Sequence, residues 1–133
     1  MAEKDFWAKI RPFLQYHTLY LARIENRVSQ GIPDVFCMDK NKNTIWIELK
    51  QVSSIEERPK FQKSQPVWHI NYNKVGGRSI ILVDYKDGIY AIKGSKISSL
   101  LKSKEKITPD WQSESWSKTD VNLMIADMLD DLL

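Results

Sequence analysis

Three ionisable side chains in the segment GIPDVFCMDKNKNTIWIELKQV, residues 31–52, could do chemistry together. Asp34 opens one apolar run just after Gly31-Ile32-Pro33, and Glu48 and Lys50 sit two residues apart inside the next. Two carboxylates held side by side repel each other, and in water-poor surroundings at least one pKa rises unless a cation intervenes. Mg²⁺ suits that position, because it takes hard oxygen ligands and prefers one or two carboxylates plus substrate phosphate oxygens. A lysine beside it can hold the attacking water and offset negative charge building on the phosphate. The residue types therefore point to hydrolysis of a phosphodiester. Zinc is not expected: Cys37 is the only cysteine, and His17 and His69 are far apart in sequence, so neither a structural zinc site nor an internal disulfide can be assembled.

Strand geometry has to bring these residues together. In TIWIELKQV the side chains alternate, so Ile45, Ile47 and Leu49 share one face while Trp46, Glu48 and Lys50 share the other. The first face reads as core and the second as a site. If the hairpin loop is Asp39 to Asn43, Met38 pairs with Thr44 and Asp34 falls opposite Glu48. A three-residue loop puts Asp34 opposite Lys50, on the same face; only an even loop or a bulge breaks the cluster. Each half of the pattern is weak alone, since Asp84-Tyr85-Lys86 repeats the acid-x-lysine spacing and Pro109-Asp110 repeats the Pro-Asp. A surface salt bridge between Glu48 and Lys50 is the competing explanation.

Around the hairpin, residues 3 to 28 lack glycine and predict helix, one piece before Pro12 and a longer one over about 13 to 28. Gly31-Ile32-Pro33 ends it. A helix is predicted to start near Ser64, with serine as cap and Pro66 in the first turn, and to stop at Gly76-Gly77. RSIILVDY and IYAIK form a second hairpin around Lys86-Asp87-Gly88, followed by a short helix near 96 to 103. KSKEKITPDWQSES reads as a linker, and an acidic amphipathic helix covers about 119 to 132. The predicted order α, β, β, α, β, β, α, α describes an α/β fold, a mixed sheet flanked by helices, in a single domain over 1–133 with its core at about 13–106.

These residues carry a resemblance. GIPDVF followed by IWIELK resembles the PD-(D/E)xK nuclease superfamily, and the wider pattern RIEN, GIPD, IELK, SQPVWHINYNKVGG, IILV is similar to its VRR-NUC branch, over roughly residues 20 to 83. The resemblance implies a restriction-endonuclease-like core with Mg²⁺ as cofactor, Mn²⁺ substituting. It implies Asp34 and Glu48 as metal ligands, the main-chain carbonyl of Leu49 as a further ligand, and Glu25 of RIENR as an auxiliary one. Lys50 positions the water, and Gln65, with Trp68 three residues on, is an orienting hydrogen-bonder; Gln62 is the competing glutamine. Glu25 could instead pair with Arg23 or Arg27 on a solvated helix face. Trp46 could pack on the sheet or stack on nucleic acid. Cys37 is expected in the core, and neither histidine is expected to act as a base.

Charge agrees with a polyanionic partner. Residues 1 to 106 hold 19 Lys/Arg against 11 Asp/Glu, whereas 107 to 133 hold one lysine against six acids. Such a basic body suits DNA, with Arg23, Arg27, Lys60, Lys63, Lys74 and Arg78 as the expected phosphate contacts, which give affinity without reading sequence. Recognition of branched DNA is therefore expected over recognition of sequence. No apolar stretch long enough for a membrane span and no signal-peptide pattern occur, so a cytoplasmic setting is expected. In the last helix Val121, Met124, Ile125, Met128, Leu129 and Leu132 form an apolar stripe that packs either on its own domain or across the two-fold of a homodimer. The expected protein is a metal-dependent endodeoxyribonuclease using a metal-activated water, similar to Holliday-junction resolvases of recombination and repair. A flap or nicking nuclease on the same fold and a non-catalytic DNA-binding module are the alternatives.

Overall fold

The computed structural model describes residues 2–24, 31–102 and 106–132, without the side chains of 2–4 and 102. Among them the order is α1 (Ala2–His17), β1 (Thr18–Arg23), β2 (Val35–Asp39), β3 (Thr44–Gln51), α2 (Ser64–Lys74), β4 (Ser79–Asp84), β5 (Ile89–Lys93), α3 (Ile97–Lys102), β6 (Trp111–Ser113) and α4 (Lys118–Asp131). The six strands form one sheet in sequential order. All neighbours are antiparallel except β3 and β4, which run parallel and are joined through α2. This is the expected α/β layering, with helices on both sides of a mixed sheet.

Alternation along β3 divides the core in two. Ile45, Ile47 and Leu49 point with Val35, Cys37, Ile80 and Leu82 toward α1 and α4, where Phe6, Ile10, Leu14, Val121, Met124, Ile125, Met128 and Leu129 close over them. The apolar stripe of α4 is thus buried in its own domain. Each such side chain contributes about 1.5–3 kcal/mol by leaving water. Ile81, Val83, Tyr90 and Ile92 face the other way and pack with Ile97 and Leu100 of α3 and with Ile70 of α2. Cys37 belongs to the first cluster, and burial pushes its thiol up to about 12.

Two predicted elements need correction. The helix expected over 13 to 28 is replaced in its described part: α1 continues through Pro12 and ends at His17, and Thr18–Arg23 is an edge strand. Pro12 and Ala8, the residue whose carbonyl the missing N–H leaves unbonded, are both exposed, so water can take that carbonyl. The helix closes where the Thr18 hydroxyl donates to the Leu14 carbonyl at 2.7 Å. Leu19 is an extra residue in the ladder, which pairs Thr18 with Asp39 but Tyr20 with Met38; that bulge hides the alternation of a strand. The stretch read as a linker contains β6, tied in by the Tyr85 hydroxyl donating to the Ser113 carbonyl and the Trp111 Nε1–H donating to Asp131. The core is therefore wider than 13–106. A smaller correction concerns α2, in which Ser64 is the first helical residue and Lys63 occupies the cap position without a side-chain cap.

Candidate active site

The first hairpin has the five-residue connection that sets Asp34 against Glu48. Asp39 builds it: its carboxylate accepts from the N–H groups of Asn41 and Asn43, both at 2.9 Å. The register that follows pairs Met38 with Thr44 and Val35 with Ile47, so one step further Asp34 faces Glu48. Two backbone contacts hold that step. The Ile24 N–H donates to the Asp34 carbonyl at 2.7 Å, and the Leu49 N–H donates to Asp34 Oδ2 at 2.9 Å. Gly31 adopts φ +84° and lies so close to the Ser64 carbonyl that no Cβ would fit. The glycine thereby brings the start of β2 against the start of α2.

From that helix start comes Gln65. Its Oε1 accepts from the Lys50 ammonium at 3.0 Å and from the Gln62 N–H at 2.9 Å, while its Nε2 donates to Glu48 Oε2 at 3.2 Å. Of the two competing glutamines, Gln65 therefore reaches the carboxylate with its side chain, and Gln62 supplies a backbone donor. Lys50 also lies over the Phe61 ring, 4.9 Å from its centroid. Glu48 and Lys50 are 1 % and 7 % exposed, which disposes of a solvated surface pair.

Electrostatics follows from this crowding. Burial first, and the Glu48 carboxylate second, push the Asp34 carboxyl up to about 7, against the Leu49 N–H and the Lys50 ammonium, which pull it down. Two hard oxygen donors in a partly dehydrated place, one of them reluctant to ionise, fit a divalent cation such as Mg²⁺. Among the described residues no group of three or more His, Cys, Asp or Glu side chains forms a metal cluster. Glu25, and with it Arg27, lies outside the described residues.

The remaining expected residues are spread out. Lys60 and Lys63 are exposed at the end of α2 that carries Gln65. Lys74 is the last residue of α2 and Arg78 follows it, at the other end of an 11-residue helix roughly 16 Å long. Arg23 is not brought to the site. It pairs with Val35, whose side chain faces α1, and its guanidinium sits over Trp7 at 5.6 Å. Trp46, on the Glu48 face, packs between Phe36 and Trp68 with centroids 5.0 and 5.7 Å away, and Trp68 stacks on Tyr72.

One neighbour was missed. His69 is fully buried, its Nε2 3.5 Å from Glu48 Oε1 and its Nδ1 2.7 Å from the Ser79 hydroxyl. Burial first, and then the Lys50 charge, lower its pKa to about 4, so the ring is neutral at physiological pH. The signal was the spacing of Gln65, His69 and Asn73, which places all three along one face of α2.

The described strands thus form a mixed sheet in sequential order, with two acids and a lysine gathered at one end of its first hairpin. In fold the chain is similar to Hjc, a Holliday junction resolvase from the archaeal hyperthermophile Archaeoglobus fulgidus, with a TM-score of 0.54 and 11 % identity over 95 % of each chain. No protein-family model and no curated protein matches the sequence.

Proposed function

We propose that the chain is a small metal-dependent endodeoxyribonuclease of the VRR-NUC-like branch, cutting branched DNA in the manner of a Holliday-junction resolvase, with DNA recombination or repair in the cytoplasm as its setting. The observation that carries the reading is the side-by-side placement of Asp34 and Glu48 with the Lys50 ammonium, Glu48 and Lys50 being tied through Gln65 and Asp34 held by the Leu49 N–H. A DNA-binding module gains nothing from buried acids beside phosphates. The fold shared with the archaeal resolvase supports branched DNA as substrate.

Asp34 and Glu48 would hold Mg²⁺ or Mn²⁺, with the Leu49 carbonyl and Glu25 as further ligands carried over from the resemblance. A bound divalent ion supplies a Lewis acid that makes water a stronger nucleophile and neutralises charge on the phosphate. Lys50 then orients the water and balances charge at the phosphoryl oxygens, and Gln65 keeps Lys50 and Glu48 in fixed relation. Lys60 and Lys63 flank this end of α2 and serve as phosphate contacts, joined by Lys74 and Arg78 for longer duplex arms. A symmetric four-way junction asks for two such sites, hence a homodimer. With the apolar stripe of α4 buried in cis, Tyr16, Leu19 and Tyr20, 70, 58 and 56 % exposed near the edge strand β1, offer an apolar surface for the second copy.

Labelled four-way junction, flap and plain duplex, incubated with Mg²⁺ and either the unaltered chain or Glu48→Gln, test the proposal. Paired cuts in the junction, absent with Glu48→Gln, are expected. Preference for the flap or single nicks would redirect it to a flap or nicking nuclease on this fold, and binding without cutting would leave the DNA-binding module.

A further inference from the structure

Gln65, His69 and Asn73 stand four residues apart on α2, and each holds something different. Gln65 takes Glu48 by Oε2. Asn73 donates one amide proton to the His69 carbonyl and the other to the Ser79 hydroxyl, both at 2.7 Å. Having accepted from Asn73, the Ser79 oxygen has its own proton to give, and His69 Nδ1 lies 2.7 Å away. Gly94 closes the pocket from the other side, since a Cβ there would strike the Ser79 hydroxyl. With Ser79 donating to Nδ1, the ring proton sits on Nε2, 3.5 Å from Glu48 Oε1, a polar contact longer than a full hydrogen bond. The opposite tautomer would turn a nitrogen lone pair on a carboxylate oxygen, which is repulsive.

We propose that His69 is a positioning residue of the site: through a relay from Asn73 and Ser79 it presents an N–H to Glu48 Oε1 while Gln65 holds Oε2, so that one face of α2 fixes both oxygens of the carboxylate. The inference rests on the nuclease reading, in which Glu48 is a metal ligand. Groups that orient a ligand in this way change metal affinity about 10- to 100-fold when removed. His69 does not touch substrate, and its effect runs through Glu48 alone. Bland packing is the competing account, because a buried ring also fills space between α2, β3 and β4.

Binding of Mn²⁺ followed by calorimetry separates the two, with thermal unfolding as the control for folding and no cleavage needed. His69→Leu, which keeps bulk and loses the donor, is expected to weaken Mn²⁺ about tenfold or more. His69→Gln, whose amide can place an N–H near the Nε2 position, is expected to return affinity to within about threefold of the unaltered chain. Equal affinity in all three proteins would overturn the inference, as would Leu and Gln variants that are equally weak. Should His69→Leu not fold, Ser79→Ala, which removes the proton that fixes the tautomer, is expected to weaken Mn²⁺ at least about threefold, and an unchanged affinity there also overturns it. A different failure, in which the unaltered chain binds no Mn²⁺ and Asp34→Asn behaves identically, sinks the nuclease reading itself.

Discussion

Two regions of this chain spell nearly the same letters. Asp34 with Glu48-Leu49-Lys50 occupies one, and Asp84-Tyr85-Lys86 with Pro109-Asp110 the other, yet their surroundings differ in one physical respect. In the second region each acid acts singly, on separate donors. Asp84 accepts from the Lys86 N–H at 2.9 Å and shapes the turn between β4 and β5, while Asp110 accepts from the Lys93 N–H and the Lys96 ammonium. Asp84 also points to the opposite side of the sheet, since Gln51, its partner, follows the parity of Leu49. In the first region two acids share a place, and Lys50 is held beside them by Gln65. A sequence pattern becomes a site when the fold leaves like charges together.

Substitutions can break that contrast. Glu48→Gln should lower the cleavage rate about a thousandfold or more, in line with loss of a charge that acts in the transition state, whereas Asp84→Asn should leave the rate within about twofold and cost about 1–2 kcal/mol of stability at the turn. Junction-cleavage kinetics together with urea unfolding check both. Lys50→Met should cost about a hundredfold or more, and Lys86→Gly should cost nothing in rate. Since Lys86 holds φ at 79°, glycine there should instead add up to about 1 kcal/mol of stability.

The hairpin register and the two faces of β3 were legible because period 2 is strict and Asp39 to Asn43 is an odd connection. Gln65 was singled out only through the resemblance, as a glutamine opening the next helix with Trp68 three residues on. β1 was not: the apolar residues of 13 to 24 fit a helical period, and the Leu19 bulge erased the alternation. β6 has three residues, too few for a pattern. His69 looked like any core histidine, because its meaning depends on Ser79, a residue ten positions later on another element.

Smaller effects follow from Asp34. Its carboxyl is raised from 3.8 to about 7, so between those values the folded chain keeps a proton that the unfolded chain releases. Without divalent ions, stability should therefore fall as pH rises from about 4 to about 7, by at most about 1.4 kcal/mol per unit, and level off above. Saturating Mg²⁺ should flatten the slope and Asp34→Asn should remove it; thermal unfolding at pH 5 and pH 7.5, with chelator or with Mg²⁺, reads both. On the same linkage, Mn²⁺ should bind more weakly as pH falls below 7.

Anomalous scattering from crystals grown with Mn²⁺ reaches the central claim most directly. A strong peak between the carboxylates of Asp34 and Glu48, with none at Asp84 or Asp110, is the expected result. An Asp34 side chain turned away from Glu48, with no ion between them in crystals saturated with Mn²⁺, would contradict it.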